Sequence, residues 1–224
     1  MEVKYREEEV TPRERAEVIA KFDEMIALYS NASSVYHEEK LKDREGKVPI
    51  KSLAKFLEMV ESTAEFSAMV IADCAVAQKF FMMATSDYEK RFARGKLRVI
   101  LNEGFKRVFG FTSNKKKKNS TIWAHISEFV SIFPENIKYK YYDIQKELEQ
   151  YSKDAWWMDD RNVETHLDID ALYESRQEDL IENKVIMESM ELLHILFKLH
   201  DLAANLHESY CETLMMQFVK QHSK

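Results

Sequence analysis

The chain is poor in the residues that turn, break or staple a polypeptide. Among 224 residues there are 4 glycines, 3 prolines and 2 cysteines. Strand-rich folds need tight turns, and tight turns draw on glycine and proline. Their scarcity excludes a sandwich or barrel, and it leaves no glycine-rich phosphate cradle of either common type. There is no Gly-x-Ser-x-Gly elbow for acyl transfer and no His-Glu-x-x-His or paired cysteine for zinc. Cys74 and Cys211 sit in separate apolar runs, so two reduced, mostly buried thiols are expected rather than a disulfide framework. An excess of positive charge is also missing. The net charge is −6, which favours solubility and works against a broad nucleic-acid surface. The polar, acidic N-terminus has no signal-peptide character. The most apolar run, residues 64–84, carries Glu65, Asp73, Gln78 and Lys79 and reads as a buried central helix rather than a membrane span. A cytoplasmic protein is expected.

What the chain has instead is helix-forming residues, with 32% charged, and apolar positions spaced three or four apart. Thr11, Pro12 and Glu14 form a start signal with a capping box. Val18, Ile19, Phe22, Met25, Ile26 and Tyr29 follow as one stripe, with a bend expected near residues 30–34 and an end before Lys42. A second helix is expected from about residue 50 to 83. Ser86 and Glu89 open a third as another capping box, with Phe92, Leu97, Leu101, Phe105 and Val108 inward and Gly110 just past its end. A short helix over 123–133 is closed by Pro134. Further helices are expected over 135–153, with Ile137, Tyr141, Ile144, Leu148 and Tyr151 on one face, and over 180–219, with Met190, Leu193, Leu196 and Leu199 among its stripe. The sum is an all-α, up-and-down bundle of long helices in a single domain spanning 1–224. Its one candidate seam is the lysine-rich loop 111–120.

For metals, Glu191-x-x-His194 with Glu188 one turn before is the nearest pattern. A di-iron bundle needs two such motifs and two further carboxylates; one is present, so these read as structural residues and no metal or other cofactor is expected. His200 and His207 share a helix face but stand two turns apart, too far to chelate one ion by themselves. Lys115, Lys116, Lys117 and Lys118 read first as a solvated loop and second as a phosphate contact. Trp156 and Trp157 point about 100° apart on a helix, so one is core and Trp157 is left for an interface or for stacking on a base.

The segment Arg161-Asn162-Val163-Glu164-Thr165-His166 stands out as chemistry. Arg, Asn and then His after four intervening residues, ahead of a long apolar C-terminal helix, resembles the HEPN superfamily, with the likeness running over about residues 135–210. The resemblance implies a small helical bundle that forms a homodimer. It also implies a metal-independent endoribonuclease of toxin or phage-defence type, acting on RNA and met by a cognate antitoxin or other protein. His166 would then be general base or acid at a ribose 2′-hydroxyl, Arg161 would hold the scissile phosphate, and Asn162 would orient the histidine or a phosphate oxygen. Residues five apart on an unbroken helix diverge by about 140°. The catalytic reading therefore requires a break between Arg161 and His166 or a groove shared with a partner. Asp159, Asp160, Glu164, Asp168 and Asp170 crowd the motif, repel phosphate and favour the protonated imidazole. They support the alternative, a non-catalytic helical dimer acting as a protein- or nucleotide-binding scaffold, in which Arg161 pairs within its own helix and His166 caps the helix end.

Overall fold

The computed structural model describes residues 11–45, 51–110, 120–154 and 182–222. All regular structure among them is helical. The helices are α1 (Pro12–Glu45), α2 (Lys51–Met83), α3 (Asp87–Val108), α4 (Ile122–Ser127), α5 (Glu135–Asp154) and α6 (Glu182–His222), with a 3₁₀ turn at Val130–Ile132 after α4. The expected single helix over 123–133 is thus two pieces. Ser127 turns its hydroxyl back onto the Trp123 carbonyl at 2.7 Å, and the chain tightens to shorter-range bonds before Pro134. At the first helix, the expected stop before Lys42 is corrected: α1 runs on to Glu45. It also passes through residues 30–34 as helix, where the Ser34 hydroxyl bonds the Ser30 carbonyl at 3.0 Å.

Both expected capping boxes form. Glu14 N–H donates to the Thr11 hydroxyl at 3.2 Å and Thr11 N–H to the Glu14 carboxylate at 2.9 Å. Ser86 and Glu89 repeat the exchange at the head of α3. Gly110 follows α3 with φ of +81°, a left-handed backbone that glycine adopts without the Cβ penalty.

Contacts between helices fix their directions. α1 is antiparallel to α2: Arg15 reaches the Met82 carbonyl, Lys79 meets Asp23, and His37 meets Glu65. α3 is antiparallel to α2, since Gly104 faces Val70 and Phe92 faces Phe80. α6 is antiparallel to α2 through Phe56–Tyr210 and Gln78–Ser189. It is also antiparallel to α5 through Lys140–Asp201 and Lys198–Glu147. So α1, α3 and α6 run one way, and α2 and α5 the other. This is the up-and-down alternation of a helical bundle.

α2 packs against α1, α3, α4 and α6 and is the central helix. Residues Ala54–Met83 are long and apolar enough to cross a bilayer, but most of this helix is buried inside the bundle. The core cluster draws on all six helices, with Ile71, Cys74 and Phe81 of α2, Leu101 and Phe105 of α3, Ile126 of α4, Leu148 of α5 and Leu196 of α6 buried. Cys74 is free, and burial pushes its thiol well above the usual range, so it behaves as a small apolar side chain. α1 is different: Phe22 is the one buried residue among its described side chains.

Two inward assignments are corrected. Phe92 is 52% exposed and Met190 43% exposed. At about 100° per residue, Phe92 lies roughly 180° around α3 from Leu101, and Met190 roughly 160° around α6 from Leu192. Each therefore faces away from its own buried stripe.

Candidate functional site

The buried face of α3 includes Arg94, Leu97, Arg98, Leu101, Phe105 and Val108. Two arginines therefore stand within an apolar stripe. Arg94 and Arg98 are four apart, so they project side by side, and both meet Glu188 of α6. Arg94 Nε donates at 3.3 Å and Arg98 Nη2 at 3.2 Å, to different carboxylate oxygens. Side-chain exposures of 5% and 8% for the arginines and 10% for the glutamate put the triad inside the protein. Burial alone would raise the Glu188 carboxyl, but hydrogen bonds and charge from Arg94 and Arg98 outweigh it and hold it below the usual range. Next to it, Gln78 donates to the Ser189 hydroxyl, which donates to the Ile186 carbonyl at 2.6 Å. Sequence reasoning placed Glu188 only in a metal-like pattern and passed over the arginines. The available signal was their position in the α3 stripe.

A second polar layer lies between α1, α2 and α6. The His200 ring is edge-on to Tyr29 and Tyr36, and Tyr36 also faces His207. His200 Nδ1 is 3.2 Å from the Ser67 hydroxyl and 3.3 Å from the Ala64 carbonyl. A serine and a histidine at that distance can form a nucleophile–base pair. Here the proton runs the wrong way. The fully buried Ser67 hydroxyl donates to the Thr63 carbonyl at 2.8 Å, so Nδ1–H donates to the carbonyl and hydroxyl oxygens it faces. Burial lowers the His200 pKa, with the Ala64 carbonyl partly opposing it. The neutral ring stabilises the fold above its unfolded pKa of about 6.5, and that contribution is lost as pH falls toward the lower folded value. At the rim of this layer, Glu65 bridges His37 at 2.7 Å and Lys40.

Among the described residues no group of three or more His, Cys, Asp or Glu side chains could hold a metal ion. Glu188 is committed to the arginines, while Glu191 and His194 are exposed on α6. Arg161, Asn162, His166 and Trp157 lie outside the described residues, and so do Lys115, Lys116, Lys117 and Lys118.

The outer surface of α2 and α3 carries a row of exposed apolar side chains. Met69, Val76, Phe80 and Met83 follow one another at helical spacing along α2, and Phe92 of α3 meets Phe80 edge-on at 6.5 Å between centroids. All five are between 44% and 56% exposed. Asp73 is exposed in the middle of the α2 stripe, and partial burial among these neighbours raises its carboxyl. Lys96 reaches over the Phe92 ring, 5.3 Å from its centroid. The stripe from Met69 to Met83 is about 21 Å long at 1.5 Å per residue. No family model, curated protein or solved structure matches the chain.

Proposed function

We propose that this protein is a non-catalytic helical scaffold that binds another protein through the α2–α3 face. The observation that carries the reading is the row Met69, Val76, Phe80 and Met83, extended by Phe92, on the outside of the central helix. Soluble proteins seldom leave large apolar side chains contiguous in water, and such patches mark interaction surfaces. These residues contribute little to the fold, since each keeps about half its surface in water.

A variant with Met69→Gln, Val76→Gln, Phe80→Gln and Met83→Gln separates the two roles. Its unfolding free energy in urea is expected to stay within about 0.5 kcal/mol of wild type per site. In native electrophoresis of gently lysed cells, the wild-type chain is expected to migrate in an assembly and the variant at the mass of the free chain. A loss of several kcal/mol, an assembly that keeps its size in the variant, or a wild-type chain already migrating free would each overturn the reading.

The motif Arg161-Asn162…His166 favours a second reading, a metal-independent endoribonuclease of toxin or phage-defence type working as a homodimer. Purified protein incubated with total RNA in EDTA is expected to cleave it, and His166→Ala to abolish the cleavage. Intact RNA, or cleavage indifferent to His166→Ala, rejects this reading. The resemblance also supports a homodimer, which light scattering measures directly.

A further inference from the structure

We infer that the α2–α3 face receives an amphipathic helix carrying a lysine or arginine in the middle of its apolar stripe, set against Asp73. This rests on the face being an interaction surface and adds the chemistry of its occupant. Charge complementarity selects the occupant. Asp73 sits at mid-length of the row on its α3-facing side, about 20° beyond Phe80 around α2 and so between the row and α3, and no ion pair reaches it among the described residues. Residues 69, 70, 76 and 77, its neighbours within one turn on α2, are Met, Val, Val and Ala. Arg98 is turned inward to Glu188, and the nearest exposed cation by helix register is Lys96. The contacts Val70–Gly104 and Phe80–Phe92 set it about one turn along from Asp73, and its ammonium is drawn toward Phe92.

An occupant with a wholly apolar stripe would bury this carboxylate without a partner, which is costly. A lipid surface would do the same. A helix with one basic residue among its anchors removes that penalty and gains a charge-assisted hydrogen bond in an apolar setting. About 14 residues of helix, four turns, match the length of the stripe and would supply anchors at the usual i, i+3 or i+4, i+7 spacing. An acidic residue one turn away on the same helix would face Lys96.

The test selects from a phage-displayed library of 18-residue amphipathic helices, with the central stripe position and the polar face randomised, on the full chain. The expected result is enrichment of lysine or arginine at that central position. Recovered peptides should bind Asp73→Asn at least about tenfold more weakly and should not bind Phe80→Gln. Binders lost in Phe80→Gln but showing no basic preference overturn this inference and leave the interaction reading standing. No binders on this face overturn both. Two further outcomes overturn it by naming another occupant: self-association abolished by Phe80→Gln, or co-sedimentation with phosphatidylcholine–phosphatidylserine vesicles abolished by Phe80→Gln.

Discussion

Glu188→Ala is expected to lower the unfolding free energy by about 3–5 kcal/mol, because it removes the carboxylate from two buried guanidiniums and leaves their charge without it. The side chains concerned are 5–10% exposed, so solvent does little to relieve them. Breaking a buried ion pair is far more damaging than the net worth of the pair, since the surviving charges keep their desolvation cost. Glu188→Gln keeps the volume and two hydrogen-bond acceptor sites on its amide oxygen, and should fall between alanine and wild type. The pH dependence has a definite sign. The folded carboxyl is held below its ordinary value, so its contribution is complete above the unfolded pKa of about 4.3 and is lost as pH falls through the folded one. Urea titrations at neutral pH and at a series of pH values below 4.5 check both parts. A loss under about 1 kcal/mol at neutral pH would place Glu188 away from the arginines.

Phe105→Ala and Phe92→Ala form a matched pair on one helix. Phe105 is fully buried, with its ring 5.2 Å from Tyr151 of α5 and 5.8 Å from Phe109, centroid to centroid. Truncating it leaves a cavity where α3 meets α5 and should cost about 3–5 kcal/mol. Phe92→Ala, on the opposite side of α3, should change stability by no more than about 0.5 kcal/mol. Denaturation midpoints of the two purified variants decide the matter. Equal losses would mean that Phe92 is packed in the fold and that the α2–α3 face is not a free surface.

The helices were legible because their signals are local. A capping hydroxyl and the glutamate three residues later sit within one turn, and both boxes at Thr11 and Ser86 form where the sequence puts them. The stripe of α5, from Ile137 through Tyr141, Ile144 and Leu148 to Tyr151, is buried as its spacing implies. What was not legible depends on residues far apart. Nothing near Arg94 announces that its partner is 94 positions away, so two arginines in an apolar stripe drew no notice. Phe92 misled because hydrophobicity was taken for inwardness; its angle around the helix, not its type, decides. The same holds for α2, whose apolar residues surround the helix while neighbours cover only part of the circle. The Arg161–His166 motif was found by resemblance and lies outside the described residues.

That Phe22 alone is buried among the described side chains of α1 has a thermodynamic consequence. α2, α3, α5 and α6 share an interior of interlocked side chains, whereas α1 lies over it on a partly buried stripe and a border of ion pairs at Asp23–Lys79 and His37–Glu65. Lifting α1 gives up less apolar contact than unfolding the remainder, so native-state hydrogen exchange is expected to show the α1 amides opening below the free energy of global unfolding. Opening there would expose His200 and Ser67 to water and remove the burial that lowers the imidazole. Exchange of the α1 amides is therefore expected to speed up relative to global unfolding as pH falls below about 6.5, and a pH-independent ratio would show that the layer of tyrosine and histidine beneath α1 does not couple the helix to protons.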